Sequence, residues 1–505
     1  MHEADTRTDR QAAPGQAPGP GPGSVPGHVV VIGGGIAGLA AAHRLLADGA
    51  RVTLLEAGPR LGGKLLAGEL AGAPVDLGAE SVLARRPEAL ELARAVGLGD
   101  ALQAPATATA HLWTRGALRP MPRGHVMGVP GDLGPLAASG VLSPEGLARI
   151  GAEAGLPPTE IGEDVAVGEY VAARLGHEVV DRLVEPLLGG VYAGNAYRIS
   201  MRAAVPRLFE AARTHPSLGD GVREIQREAA LRPQDSGPVF AGIAGGIGRL
   251  PLAVAEACRA AGARLLTDAP VSELTRTAEG RWRVIADGRP LEADAVVLAT
   301  PAGPAARLLA ALAPAAAAEL RRVEYASMAL VTLAFRRADL PAAVTGGGAS
   351  GFLVPPVDGR TIKASTFSSN KWSWAGADPE LFLLRTSVGR HGDEGDLGRE
   401  DAELVEVSLG DLGEAVGLAA RPVASTVTRW TGGLPQYPVG HLDRVAAVRA
   451  AVAALPGLAV CGALFDGVGI PACIASARKA VDAVTAGWGA RSAPLAQTTD
   501  RRTGQ

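Results

Sequence analysis

The chain has 505 residues, a formal net charge of −3, and 20% charged and 47% hydrophobic residues. That is enough apolar mass for two or three domains around a large interior, with no excess of positive charge to track a phosphate backbone, which argues against nucleic acid as a partner. Three scattered cysteines, Cys258, Cys461 and Cys473, rule against a disulfide framework or a Cys-rich metal site and point to a reducing cytoplasm, and no apolar run is long enough to span a membrane.

Residues 1–27 are rich in Pro, Gly, Ala and Gln. They read as a disordered tail that cannot repay its ordering entropy and that lacks the apolar core of a signal peptide. His28 to Ile32 (HVVVI) is an apolar, β-branched run suited to a buried parallel strand, and it runs directly into GGGIAG. A helix from about Gly38 to Asp48 follows, then a second strand at Arg51 to Glu56, which completes βαβ spacing. Residues 87–213 read as mostly helical, with Val179, Val180, Leu183, Val184 and Leu187 at helical spacing. Further buried strands are expected at Arg264 to Leu266, Arg281 to Ala286, Ala295 to Thr300 and Leu458 to Cys461, with a last helix at Ile474 to Gly487. Strand-like pieces such as Ala329 to Phe335 and Leu381 to Ser387 lie between Pro314 and Val423. The fold class is therefore α/β: a discontinuous Rossmann-type FAD-binding domain (28–86, 240–313 and 424–488), a mostly helical subdomain (87–213), an α+β substrate-binding domain (214–239 and 314–423) and a loose tail (489–505).

The strongest chemical signal is Gly33, Gly34, Gly35, Ile36, Ala37, Gly38 between the first strand and helix. The first glycine permits a tight turn and the second lets backbone N–H groups approach a pyrophosphate. The third allows close helix–strand packing, so that the helix N-terminus meets the anion. Glu56, at the end of the second strand, is placed to accept from the ribose hydroxyls of a dinucleotide, and an acid there disfavours a 2′-phosphate. Ala57 to Lys64 (AGPRLGGK) and Ala73 to Ser81 (APVDLGAES) resemble the extended FAD fingerprint of the monoamine oxidase and phytoene desaturase superfamily. That resemblance implies FAD as cofactor, with Ala57 and Lys64 near the pyrophosphate and Gly78, Ala79, Glu80 and Ser81 near the flavin. A lysine at position 64, where many relatives carry arginine, gives a less directional contact.

Gly462 to Val481 (GALFDGVGIPACIASARKAV) sets a glycine-rich turn before a helix. Val468, Gly469 and Ile470 there can present N–H donors to a flavin's pyrimidine oxygens, or simply start a helix. With GGVYAG (Gly189 to Gly194) and its following Ile199–Ser200 pair, and with the Trp430…Pro435–Gln436–Tyr437…Gly440–His441 segment, this turn resembles the protoporphyrinogen/coproporphyrinogen III oxidase family. The similarity runs from about His28 to Gly487 and is nearest to the coproporphyrinogen-using branch of actinobacteria and related Gram-positive bacteria.

The resemblance implies a flavoprotein oxidoreductase of haem biosynthesis. It would take coproporphyrinogen III to coproporphyrin III in three two-electron steps, with O₂ as acceptor and hydrogen peroxide as product, and hand its product to other enzymes of that pathway. It also places Val271 on adenine and Trp430 beside the flavin. Read on its own, Trp430 is as well a core anchor, and His441 is a packing residue. No side chain presents itself as a catalytic acid or base, and no metal signature competes. Arg86, just after the GAES turn, is the first candidate for a substrate propionate, set against a solvated helix-start arginine. Arg85, Arg119, Arg123 and Lys371 are further candidates, each also readable as a surface charge. Alternative functions are a protoporphyrinogen IX oxidase, an amine oxidase or carotenoid desaturase, and a noncatalytic carrier resembling GDP-dissociation inhibitors. Oligomeric state is not legible, and the helical stretch serves equally as a core or as a peripheral membrane contact.

Overall fold

The computed structural model describes residues 27–486 apart from 158, 232–237 and 347. The tails read over 1–27 and 489–505 lie outside the described residues except for Gly27. Strand β1 (His28–Ile32), helix α1 (Ile36–Ala47) and strand β2 (Arg51–Leu55) form the expected βαβ unit. β1 and β2 are the centre of a five-stranded parallel sheet in the order Arg264–Leu266, β2, β1, Ala295–Leu298, Leu458–Val460. Because a strand's side chains alternate between faces, Val29 and Val31 pack into one buried cluster with α1 and the helices Arg249–Ala260 and Ile470–Thr485. Val30 and Ile32 pack into another, against the helices Ala302–Leu308, Pro314–Arg321 and His441–Ala453. Helices on both faces explain why Val29–Ile32 is apolar throughout.

A second sheet of seven strands forms the other half. Its order is Ala424–Pro435, Tyr325–Arg336, Leu381–Val388, Ile362–Thr366, Gly351–Leu353, Ala110–Thr114, Ala117–Pro120. Three of its members were expected elsewhere. Ala424–Pro435 pairs antiparallel with Tyr325–Arg336 over most of its length, so this strand belongs to the second sheet and not to the nucleotide domain. Ala110–Thr114 pairs parallel with Gly351–Leu353, and with its hairpin partner it leaves the helical stretch. Pairings over such sequence separations leave no local periodicity to read. Conversely, helix Leu218–Leu231 buries Leu218, Val222 and Ile225 in the helical cluster beside Leu208 and Phe209, away from the second sheet. That cluster holds the helices between Leu133 and Leu231, including a π-helical turn at Val180–Val184 that leads into helix Glu185–Tyr192.

Candidate functional site

At the end of β1 the chain turns through Gly33, whose φ of 111° only glycine adopts readily, and the Gly33 N–H donates to the Leu55 carbonyl oxygen at 2.8 Å. A side chain at Gly33 would lie 2.6 Å from the Ala299 carbonyl oxygen, and one at Gly38 would overlap the Gly33 carbonyl oxygen. These two glycines seat α1 against the sheet. Gly35 is different: a Cβ there would come no nearer to any atom than 3.9 Å, at Gly63. The space in front of the loop is open, and α1 begins at Ile36, so the unpaired N–H groups of its first turn are available to an anion.

Glu56 closes the loop from the side. Its carboxylate accepts from Gly34 N–H at 2.6 Å and from Gly58 N–H at 2.9 Å, which brackets Ala57. The Ala269 N–H donates to the Glu56 carbonyl oxygen, which brings strand Val271–Arg276 alongside and sets half-buried Val271 at its near end. Thr300, following strand Ala295–Leu298, has a buried hydroxyl without a hydrogen-bond partner among the described residues. The ending LAT of a buried strand beside a glycine loop was the signal that could have marked it.

From the loop the molecule opens into a cleft of about 1360 Å³, counting its mouth. Gly78–Ser81, Trp430 and Val468–Ile470 line it, together with Lys64. A side chain on Gly78 would overlap the Lys64 carbonyl oxygen and approach the Trp430 ring to 3.2 Å, so this turn packs tightly on both. The Trp430 indole N–H donates to the Leu77 carbonyl oxygen at 3.0 Å, and the Arg60 guanidinium lies 5.6 Å above the indole. Behind Val468–Ile470, His441 stacks on Tyr437 with centroids 3.9 Å apart and reaches the Leu464 carbonyl oxygen at 3.0 Å, while the Tyr437 hydroxyl bonds Ala463. Burial pushes His441 down to about 4, so it is neutral at pH 7 and acts on the shape of this loop.

The charges are unevenly distributed. Glu80 is buried, with Lys371 on one carboxylate oxygen and Arg385 3.1 Å from the other. Burial alone would raise its pKa, but Arg385 and Lys371 outweigh that and hold it below the ordinary carboxylate value. Arg385 also donates to the Gly78 carbonyl oxygen at 2.7 Å, tying the turn to the second sheet. Asp76 accepts from Ile247 and Gly248 N–H at 2.9 Å each, and burial pushes it up to about 6. Lys64 is held below the usual lysine range by burial, and its ammonium has no hydrogen-bond or ion-pair partner among the described residues.

The open cradle at Gly35, the unpartnered Thr300 hydroxyl and the unpartnered Lys64 ammonium fit FAD lying from the loop to the cleft. The structure thus gathers Gly33–Gly38, Glu56, Ala57 and Val271 at one end, and Lys64, Gly78–Ser81, Trp430 and Val468–Ile470 at the other. Arg86 is not in the cleft wall; its guanidinium meets Glu88 at 2.6 Å in a half-exposed pair. Lys371 does line the cleft, but Glu80 engages it. Lys363 and Arg385 were missed: both also line the cleft, and an isolated cation in each of the strand sequences IKAST and LFLLRTS was the available signal.

The model of the flavin containing amine oxidoreductase family matches residues 36–485. The coproporphyrinogen III oxidase of Mycobacterium tuberculosis is 40% identical over 90% of this chain and 96% of its own length. That of Bacillus subtilis is 33% identical over 91% and 98%. Among solved structures, an Exiguobacterium protein provisionally named protoporphyrinogen oxidase superposes with a TM-score of 0.80 at 32% identity, covering 92% of this chain and 99% of that one.

Proposed function

The chain belongs to the flavin containing amine oxidoreductase family, and from that premise we propose that it oxidises coproporphyrinogen III to coproporphyrin III with O₂ as the final acceptor. The cleft carries this reading. It adjoins the nucleotide loop and combines apolar wall positions such as Met328, Leu330 and Leu353 with Lys64, Lys363, Lys371 and Arg385 against the carboxylate Glu80. An apolar body ringed by carboxylates is the ligand such a wall complements. Bound FAD supplies the two-electron acceptor. The side chains orient the macrocycle and exclude water, and the driving force is aromatisation, so catalysis rests on positioning more than on an acid–base pair. One porphyrinogen and three O₂ give one porphyrin and three hydrogen peroxide.

Anaerobically prepared coproporphyrinogen III and protoporphyrinogen IX, offered to the purified holoenzyme, test this by porphyrin fluorescence and peroxide yield. The expected outcome is higher kcat/KM for the four-carboxylate substrate, with peroxide and porphyrin in the stoichiometry above. Preference for protoporphyrinogen reverses the substrate assignment, and peroxide release with amines but not with porphyrinogens removes it. A colourless protein releasing no FAD on denaturation would point to a carrier. No helix among the described residues is long and apolar enough to cross a membrane. We place the enzyme in the cytoplasm with at most a peripheral membrane contact; recovery with membranes after a high-salt wash would contradict this.

A further inference from the structure

Lys363 stands at the irregularity in the pairing of Ile362–Thr366 with Leu381–Val388, where the register shifts between Ile362 and Ala364. The irregularity lets a lysine between two cleft-lining or core neighbours reach the cleft wall while its side chain stays buried, with the residue 8% exposed. Its ammonium donates to the Gly389 carbonyl oxygen at 2.8 Å and has no ion-pair partner among the described residues. The charged groups around it are all committed. Arg390, the nearest, donates to the Val354 carbonyl oxygen and repels it. Glu185, on the helix packed over this strand, accepts from Ala196 N–H at 2.6 Å and faces Arg390. Asp411, on the helix on the strand's other side, accepts from Ile362 N–H. On the adjacent strand, Arg385 is bound to Glu80.

A buried ammonium on a residue that lines a ligand cavity, with no counter-charge, is costly unless a ligand brings one. We propose that Lys363 receives a peripheral carboxylate of the macrocycle and thereby contributes to selection of substrates with more such groups. This rests on the porphyrinogen reading above. Burial, with Arg390 adding to it, pushes free Lys363 down to about 7, whereas a bound carboxylate would return it to the charged form. Ligand binding above pH 7 must then take up a proton.

The test uses the FAD-loaded enzyme and the stable product, coproporphyrin III. At pH 8, calorimetry in two buffers of different ionisation enthalpy is expected to show net proton uptake on binding by the unaltered enzyme. K363R, which cannot lose its charge, should lose most of that uptake and keep a Kd within about threefold. K363M should weaken coproporphyrin III binding by about tenfold or more, the loss of one charge-assisted contact, and weaken protoporphyrin IX less, with flavin content unchanged. Zero proton uptake by the unaltered enzyme overturns the assignment without reliance on any variant. So does K363M binding coproporphyrin III as tightly as the unaltered enzyme. If the unaltered enzyme binds neither porphyrin, the porphyrinogen reading fails and this assignment fails with it.

Discussion

The glycine loop and the charged wall of the cleft serve one cavity but are made in opposite ways. The loop is a local device, since Gly33 to Glu56 contains the turn, the helix start and the carboxylate that clamps them through Gly34. The wall is assembled from distant segments. Glu80 meets Lys371 and Arg385, which lie some three hundred positions away, and Trp430 is fixed by Leu77. A local device is set by backbone sterics and tolerates no side chain at its tight points. A long-range device depends on charge balance, and its failures should appear as lost stability before lost nucleotide.

The largest effects should separate the two kinds of glycine within the loop. Gly38→Val drives a branched side chain into the Gly33 carbonyl oxygen, and backbone there has nowhere to move. A loss above about 4 kcal/mol, with no folded flavoprotein recovered, is expected. Gly35→Val meets open space instead, so the apoprotein should melt within about 1 kcal/mol of the parent while flavin absorbance is lost. Retained FAD in Gly35→Val would move the pyrophosphate away from this loop.

The wall breaks next. Glu80→Gln leaves Lys371 and Arg385 with an amide in place of their shared counter-charge, and removing one partner of a buried pair costs about 3–5 kcal/mol. Chemical denaturation of the holoenzyme measures it. A loss below about 1 kcal/mol would show that solvent or bound cofactor already balances these cations.

The same contrast governs what the sequence could disclose. The loop, Glu56 and the parallel strands were legible because an apolar run, a glycine spacing and an acid are adjacent in the chain. The GAES turn, Trp430 and Val468–Ile470 were legible only as motifs, since nothing local indicates that Gly78 packs against Trp430. Lys363 and Arg385 carried no motif and sit in strands whose neighbours are set by pairing. The span 424–488 reads as part of the FAD-binding domain, yet Ala424–Pro435 pairs with Tyr325–Arg336, which lies about a hundred residues upstream. The half-exposed alternation of the strand looks alike in either sheet.

A smaller effect distinguishes the support of each region by pH. His441, under the Val468–Ile470 loop, has its pKa lowered by folding to about 4 from an ordinary 6.5. Its contribution is therefore complete above 6.5 and lost as pH falls toward 4, up to about 3 kcal/mol. Asp76, just before the GAES turn and bonded to Ile247 and Gly248, is raised by folding to about 6 from an ordinary 3.8. Its folded form holds the proton longer, so stability falls as pH rises between those values. The two slopes oppose each other in the parent. His441→Phe keeps a ring against Tyr437 and removes one of them, so as pH rises from 4 to 6 the variant's Tm should rise less, or fall more, than the parent's. A profile parallel to the parent's would show that His441 does not titrate with folding.

The smallest effect concerns Arg86, which the sequence put first for the substrate and the structure puts outside the cleft wall, paired with Glu88. A half-exposed pair of neighbouring residues is worth about 1 kcal/mol, so it does not lock the guanidinium away from an incoming carboxylate. If Arg86 meets a propionate at the mouth, the contact is equally present in ground and transition states. Arg86→Ala should then raise KM for coproporphyrinogen III by about threefold and leave kcat unchanged. Measured as coproporphyrin III Kd for both variants, a smaller effect of Arg86→Ala than the tenfold or more expected of K363M would place most carboxylate recognition inside the cleft. An unchanged KM in Arg86→Ala, with the Lys363 effect intact, assigns recognition to the interior wall and leaves Arg86 as the partner of Glu88 alone.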